Sequence, residues 1–222
     1  MCIASTPPRP KTGFFMYSSS DNERIVNEIK IVFQNKNFQL DDAMVKKSSK
    51  DVYCRICQKI LSSAFGVALI TSKTPKRSSE NIYLEIGLMK AFGKEVIILT
   101  DKRSIIASDL NGKGVFPYVD KNGNSRLETV IDDWINEIET DIESWNRFGD
   151  IAFNMTHDYE NGFELYKKVI LYGDFSNPLV NLKGKFNGGY DASQPFSKRF
   201  HEDVNIFIND IESLVDSDLE IN

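Results

Sequence analysis

From residue 13 onward, the sequence alternates between short apolar runs with β-strand character and longer segments with helical spacing of apolar residues. This alternation is typical of a parallel sheet covered by the helices that connect its strands. The predicted strands are GFFMY, a weaker run near residues 37–40, FGVALIT, EVIILT and VFPYV. We therefore predict an α/β fold with a doubly wound parallel sheet of four to five strands.

Amphipathic or apolar helical segments separate these strands. Residues 51–63 form one such segment, and NIYLEIGLMKAFG is apolar on nearly all sides, which predicts a helix enclosed by protein and ended by Gly93. A long amphipathic segment from about Arg126 to Trp145 is predicted to close the core against the sheet. We assign Trp134 and Trp145 to packing.

The remaining chain is less regular. Residues 158–172 and 196–215 have helical patterns, whereas residues 177–195 are interpreted as a long loop or hairpin. The predicted organisation is a mobile N-terminal lead-in at residues 1–12, an α/β domain at residues 13–147 and a mostly helical C-terminal extension at residues 148–222.

Composition excludes several classes of protein. Of the 222 residues, 41% are hydrophobic and 27% charged, and no run of about 18 apolar residues predicts a membrane span. The net charge of -5 argues against broad nucleic-acid binding, which needs clustered basic residues. The N-terminus lacks the apolar segment of an export signal, so we expect a cytoplasmic protein.

The three cysteines are Cys2, Cys54 and Cys57, an odd number that fits a reducing compartment. Cys54 and Cys57 form a C-x-x-C inside a helical pattern, whereas a redox pair usually precedes a helix. We interpret them as buried structural thiols. With only two histidines in the chain, no metal site is expected.

Three loops are expected to meet at the carboxyl ends of the strands, where doubly wound sheets bind ligands. They are residues 17–21, 71–81 and 101–109. In the first, Tyr17, Ser18 and Ser19 offer hydroxyls beside a helix N-terminus, which can hold a phosphate or a ribose. The alternative is that the serines only cap the helix.

The strongest single candidate is Glu85, a carboxylate inside the apolar segment NIYLEIGLMKAFG. Burial of a lone carboxylate is unfavourable unless something compensates it. With Ser78 or Ser79 as the helix N-cap, Glu85 lies in the second turn, and Asn81 shares its face. The alternative is that Glu85 reaches solvent or pairs with a basic residue of the preceding loop.

That loop contains the basic residues Lys73, Lys76 and Arg77. They could attract phosphate groups, although charged loop residues are more often only solvated. Asp109, in the third loop, is either a turn former or an acceptor for ribose hydroxyls.

The residues around Glu85 resemble a known family. The segment SSENIYLEIGLMKAFGKEVIILT is similar to the part of nucleoside 2-deoxyribosyltransferase-like proteins that contains Glu-Leu-Gly followed by Ala-x-Gly-Lys. The opening GFFMYSSSDNERIVNEI instead resembles the start of a TIR domain. Both families have a flavodoxin-like sheet, and the resemblance covers about residues 13–140.

The resemblance implies cleavage of an N-glycosidic bond to ribose. It implies that Glu85 acts as nucleophile or stabilises an oxocarbenium ion, and that Asn81 and Asp109 hold the substrate. Including the hydroxyl groups near the loops, the candidate substrate-binding residues are Tyr17, Ser18, Ser19, Ser79, Asn81 and Asp109. Deoxyribosyltransferase-like proteins often have Asp-Leu-Thr after the third strand, where this chain has Leu69, Ile70 and Thr71, so the TIR-like alternative is favoured.

On this basis we expect a hydrolase that cleaves the N-ribosyl bond of NAD or a related nucleotide, in bacterial antiphage defence, without a further cofactor. The resemblance also implies a homo-oligomer or a partner protein of a defence system. A non-catalytic nucleotide sensor that uses the same cleft is the main alternative. A flavodoxin-like electron carrier or a receiver domain fits less well, because a receiver needs an acidic pair after the first strand.

Overall fold

The computed structural model of this chain describes residues 7–42, 52–101, 106, 114–173, 176–189 and 191–219. Within these residues one five-stranded sheet forms, with all neighbouring strands parallel. The strands are β1 (Arg9–Met16), β2 (Gln39–Asp42), β3 (Ser63–Ile70), β4 (Val96–Thr100) and β5 (Val115–Pro117). The α-helices are α1 (Glu23–Asn35), α2 (Val52–Ser62), α3 (Lys76–Ala91), α4 (Leu127–Ile151), α5 (Tyr159–Tyr172), α6 (Ser176–Phe186) and α7 (Lys198–Leu219). The predicted α/β fold with a parallel sheet and a mostly helical C-terminal part is confirmed.

The strand order is β2-β1-β3-β4-β5, the order of flavodoxin-like doubly wound sheets. The chain adds β2 on one side of β1 and then crosses to place β3 on the other side. The winding direction therefore changes between β1 and β3, which makes the carboxyl ends of these two strands the topological switch point.

The centre of the sheet is buried, and this explains why its strands are continuous apolar runs. Every residue of β3 and β4 is buried. Phe65 of β3 stacks on Phe33 of α1 with ring centroids 5.9 Å apart, and its ring lies 5.2 Å from that of Trp134. The assignment of Trp134 to packing is confirmed.

Helix α3 differs from its prediction. It buries Ile82, Ile86 and Met89, but Leu84 is 59% exposed, so the helix is not enclosed on all sides. The apolar composition of this segment suggested a fully enclosed helix, but some of its apolar residues, such as Leu84, face solvent rather than the sheet. The helix ends at Ala91, and Gly93 follows with a positive φ of 69°, as predicted from the glycine.

Lys94 lies in the connection from α3 to β4, and its side chain caps the C-terminal end of α2. Its Nζ donates hydrogen bonds to the carbonyl oxygens of Ile60 (2.7 Å) and Leu61 (3.1 Å), and also to that of Ser63. Ile60 and Leu61 lie at the C-terminal end of α2, where the helix itself provides no donors, and Ser63 follows this helix directly. A cation at this end also interacts favourably with the helix dipole.

Two predictions near the N-terminal half are corrected. β1 begins at Arg9, so residues 9–12 belong to a strand and not to the mobile lead-in. Cys57 is exposed on α2 and is not a buried thiol. The inward face of this helix instead contains Ile56 and Ile60, one and three residues away. Cys2 and the side chain of Cys54 lie outside the described part of the chain.

The chain divides into two compact units. The first contains Lys11–Asn136, and the second contains Pro7–Pro10 with Glu137–Asn222. The division falls inside α4, N-terminal to the predicted boundary after residue 147. α4 is one continuous helix, and its residues belong to both units.

The second unit has its own aromatic core. Phe153 lies in a short π-helical segment, Ala152–Thr156, and stacks on Tyr166 of α5 with centroids 5.1 Å apart. The loop or hairpin predicted for residues 177–195 is wrong for residues 177–186, which belong to α6, whereas residues 187–189 and 191–195 form no helix or strand. Pro178 lies in the first turn of α6, where a helix tolerates proline. Among the described helices of the chain, none is both long and apolar enough to cross a membrane.

Candidate active site at the carboxyl ends of the first and third strands

A cleft of about 180 Å³ opens at the switch point of the sheet. Two segments far apart in the sequence form it, namely the end of β1 with its following loop and the first half of α3. The described residues that line the cleft are Phe14, Phe15, Met16, Tyr17, Ser18, Ser19, Ser78, Asn81, Ile82 and Glu85. Its floor is apolar and its rim carries neutral polar groups, a composition common in small-molecule sites.

The residues of α3 that line the cleft are those on one face of the helix. Ser78, Asn81, Ile82 and Glu85 are spaced i, i+3, i+4 and i+7 and therefore share one face. The N-cap is Pro75 rather than either predicted serine, so Glu85 lies beyond the second turn. Asn81 and Glu85 share a face as predicted.

Ser79, a predicted substrate-binding residue, does not share this face. It is one residue past Ser78, which turns its side chain by about 100°. Its Oγ donates a hydrogen bond of 2.8 Å to the carbonyl oxygen of Lys76. Ser78 takes its place in the cleft, and helical spacing from Glu85 would have identified it.

Glu85 is partly buried, and no charged partner for it is found in the described part of the chain. Among the described residues, none forms a hydrogen bond or an ion pair with its carboxyl group, which excludes the suggested pairing with Lys73 or Arg77 there. Burial raises the pKa of Glu85 from 4.5 to about 7. Desolvation alone explains this direction, because a low-dielectric environment disfavours the charged form of a carboxyl. Strongly perturbed pKa values in a cleft are typical of functional sites.

Tyr17 lines the cleft with its ring, whereas its hydroxyl points toward β2. The hydroxyl donates to Oδ2 of Asp42 at 3.1 Å, and Lys30 contacts the same oxygen at 2.6 Å. Burial, and then the charge of Asp42, raise the pKa of Tyr17 to about 12. Tyr17 is therefore a neutral wall of the cleft at physiological pH.

The two candidate serines after β1 have different environments. Ser18 is buried, and its Oγ lies 2.8 Å from the Oγ of Ser20. Ser19 is exposed at the rim. The helix cap of α1 is Asn22, whose Oδ1 accepts from the backbone N–H of Arg24 at 3.0 Å. The alternative in which the serines cap this helix is thus wrong.

Asp21 joins the loops after β1 and β3, a role that the sequence analysis missed. Its Oδ2 accepts from the backbone N–H of Ser18 at 2.7 Å. Its Oδ1 accepts from the hydroxyls of Thr74 (2.9 Å) and Thr71 (3.3 Å). This carboxylate therefore fixes the loop that contains the cleft serines to the loop that leads into α3.

Asp101 joins the loop after β4 to the loop after β3 through hydrogen bonds of its carboxylate. Its two carboxylate oxygens accept from the backbone N–H of Ser72 (2.8 Å) and from its hydroxyl (2.6 Å). Tyr118, just after β5, has its pKa raised to about 12 by burial first and then by the charges of Asp101 and Asp21. Asp21 and Asp101 each follow the carboxyl end of a strand within a few residues, and this position in the sequence could have indicated their role in joining the loops.

The predicted basic residues do not line the cleft. Asp109 lies outside the described residues. Lys73, Lys76 and Arg77 are exposed around the N-terminus of α3. No group of histidine, cysteine, aspartate and glutamate side chains suited to a metal ion occurs among the described residues.

The acidic residues that line the larger clefts of the described chain are exposed or ion-paired; Glu160 and Asp203, which line the largest of these clefts, are exposed. A cleft of about 740 Å³ between α5 and α7 contains Glu164, but this residue pairs with Lys167 at 2.9 Å. A cleft of about 630 Å³ beside β2 contains Asp41, which pairs with Lys59 at 2.8 Å. Exposure or charge compensation of these acids makes Glu85 the stronger candidate for chemistry.

The sequence matches no protein-family model, and comparison with curated proteins finds no relative. The fold and the cleft therefore define the class of protein, a flavodoxin-like α/β protein with a desolvated carboxylate at its switch point that no described residue pairs with. Fold alone does not determine function, so the argument for activity rests on the residues of the cleft.

Proposed function

We propose that this chain is a hydrolase that cleaves the N-ribosyl bond of NAD or a related nucleotide, with Glu85 as its catalytic carboxylate. The observation that carries the proposal is the desolvation of Glu85 at the switch point of the sheet, where no described residue pairs with its carboxyl group. Such a group destabilises the folded chain, and a cationic ligand or transition state is a natural compensation.

The chemistry requires one well-placed negative charge. When the bond between the ribose C1′ and the base nitrogen breaks, its electron pair leaves with the base and C1′ becomes part of an oxocarbenium ion. A preorganised carboxylate in a cleft with little water stabilises this cation. Water then adds to C1′ and loses a proton, which gives the free base and, from NAD, ADP-ribose. Alternatively, the carboxylate forms a covalent intermediate that water hydrolyses.

The lining of the cleft favours a pyridinium leaving group. Among the described lining residues Glu85 is the only acid, whereas hydrolysis of a neutral glycoside usually needs a second carboxyl group to protonate the leaving group. A pyridinium base leaves as a neutral molecule and needs no proton. Its positive charge also favours the ionised form of Glu85 in the bound state.

The size of the cleft limits what enters it. Pockets for drug-sized ligands are typically about 300–1,000 Å³, and this cleft measures about 180 Å³. We expect it to hold the reacting base and part of its ribose. The neutral hydrogen-bonding groups available to the sugar are those of Ser18, Ser19, Ser78 and Asn81. The phosphates would extend out of the cleft toward the basic residues around the N-terminus of α3.

The biological setting is the least direct part of the proposal. A cytoplasmic role in antiphage defence, with a homo-oligomer or a defence partner, rests on the resemblance to TIR-like proteins alone. The reaction could serve such a role, since loss of NAD stops the metabolism of a cell.

One observation favours a non-catalytic nucleotide sensor as a second candidate. With a pKa of about 7, Glu85 is protonated in a large fraction of molecules at neutral pH before ligand binds. A neutral carboxyl group can donate a hydrogen bond to a base or a sugar. The same cleft would then recognise a nucleotide without cleaving it.

The test is a comparison of NAD with NADH on the purified full-length protein. The two dinucleotides have nearly the same shape, but the dihydronicotinamide ring of NADH has no positive charge. We expect release of nicotinamide from NAD only, with loss of about 10²-fold to 10³-fold in Glu85→Gln. Glu128→Gln, a change of an exposed carboxylate on α4, is the matched control and should retain activity.

Three outcomes separate the candidates. Base release that persists in Glu85→Gln contradicts the assignment of the catalytic carboxylate. Binding of NAD without base release, at low and at high protein concentration, supports the sensor. Neither binding nor release of NAD or of any nucleoside in a panel contradicts both candidates.

A further inference from the structure

The outer face of α3 is apolar and exposed. Leu84, Gly87 and Ala91 are spaced i, i+3 and i+7 on one face of the helix, opposite the buried face, whereas Leu88 at the edge of this face packs against the core. Leu84 is 59% exposed, Gly87 and Ala91 are exposed, and Leu88 is partly buried. A surface helix normally carries polar residues on this side.

Gly87 adds a second observation. It lies in the interior of α3, where glycine is the weakest helix former apart from proline. A Cβ added there would meet no atom of the described chain within 4 Å. The described part of the fold therefore gives no steric reason for a glycine. Close approach of another surface to the helix backbone does give one.

We propose that this face binds the same face of a second copy of the chain, with the two α3 helices antiparallel about a two-fold axis. In this register Leu84 of each copy packs into the gap that Gly87 leaves on the other. A two-fold axis that passes midway between Leu84 and Gly87 places Leu84 of each copy opposite Gly87 of the other, so the same contact occurs twice. A symmetric interface of this kind is self-complementary.

The charges beside the face support the antiparallel direction. Glu80 lies one turn before Leu84, and Lys90 lies three residues after Gly87; both are exposed. When Leu84 faces Gly87 of the second copy, Glu80 is level with Lys90 of the second copy to within about 1.5 Å along the axis. Parallel helices about a two-fold axis would instead bring Glu80 near Glu80 and Lys90 near Lys90.

The expected association is weak and reversible. One helix from each copy buries less than the roughly 1,600 Å² of a standard interface. We therefore expect a monomer at low micromolar concentration and a dimer at high micromolar concentration. This surface does not include Glu85, and its test needs no nucleotide and no assumption about the reaction.

Sedimentation velocity over this concentration range tests the proposal. Gly87→Gln fills the gap and should raise the dissociation constant of the dimer by about tenfold or more. It should leave the unfolding temperature equal or higher, because the position is open and glutamine is a better helix former. Gly184→Gln is the matched control, since Gly184 lies in α6 with equally open space, and it should not change association.

Charge reversal tests the register separately. Glu80→Lys and Lys90→Glu should each weaken the dimer, and the double variant should restore it, because the pair would again join opposite charges across the interface. A wild-type chain that stays monomeric at high micromolar concentration overturns the proposal. A dimer that tolerates Gly87→Gln, or that the double variant does not restore, overturns it as well.

Discussion

Replacement of Glu85 by glutamine should stabilise the fold at neutral and alkaline pH, whatever reaction the chain catalyses. Glutamine is nearly the same size and has no charge to desolvate. The substitution therefore removes the energetic cost of a buried carboxylate while it keeps the packing of the cleft.

The structure gives the sign and the size of this effect. The pKa of Glu85 is raised to about 7 in the folded chain from an ordinary value of 4.5. The folded chain thus binds more protons than the unfolded chain between these values, so its stability falls as the pH rises through this window. At about 1.4 kcal/mol for each pH unit, the upper limit is about 3–4 kcal/mol. With allowance for partial solvent screening, we expect about 2 kcal/mol.

Thermal and urea unfolding from pH 4.5 to pH 8.5 would measure it. We expect wild type and Glu85→Gln to be similar near pH 4.5 and to diverge as the pH rises. The variant should unfold roughly 4–8 °C higher at pH 8. Glu128→Gln, the exposed control, should follow wild type throughout. A variant that is less stable than wild type at pH 8 would refute the reasoning, because it would mean that the charge of Glu85 is compensated in the folded chain.

Three further substitutions test other contacts. Asp21→Asn removes a carboxylate that accepts three hydrogen bonds and should cost about 1–3 kcal/mol of unfolding free energy in urea; an unchanged midpoint would contradict its role between the loops. Lys94→Met should cost about 1–3 kcal/mol by leaving carbonyl oxygens of α2 without their donor, and hydrogen exchange should show faster opening at the end of that helix. Gly162→Ala places a methyl group against the ring of Phe153 and should cost about 1–3 kcal/mol; a higher unfolding temperature would show that the second unit accommodates the added volume.

The fold could be predicted because the buried sheet leaves a direct trace in the sequence. Strands β3 and β4 are buried at every position, so only apolar runs can form them. The helix between them contains a carboxylate on a partly apolar face, and helical periodicity alone placed Asn81 beside Glu85. These inferences depend on residues that are close in sequence, where spacing determines geometry.

The errors have physical causes of a different kind. The serines before Glu85 are good N-caps, yet α3 begins earlier at Lys76, and this changed which serine faces the cleft. Glycine, proline and asparagine in residues 177–195 favoured a loop, but packing against an aromatic core stabilises α6 there. The bonds of Asp21 join residues 50 and 53 positions apart, and no local pattern reveals such partners.

The adjacency of β1 and β3 also has a consequence for folding. One wall of the cleft comes from residues 14–19 and the other from residues 78–85, and β2 and α2 lie between them in the chain. The cleft therefore exists only after a contact of high sequence separation has formed, which is the slow step in folding a parallel sheet. During synthesis or refolding, the appearance of ligand affinity should coincide with completion of the sheet. A bound ligand would then lower the rate at which the whole α/β unit opens, and not only that of the loops that touch it.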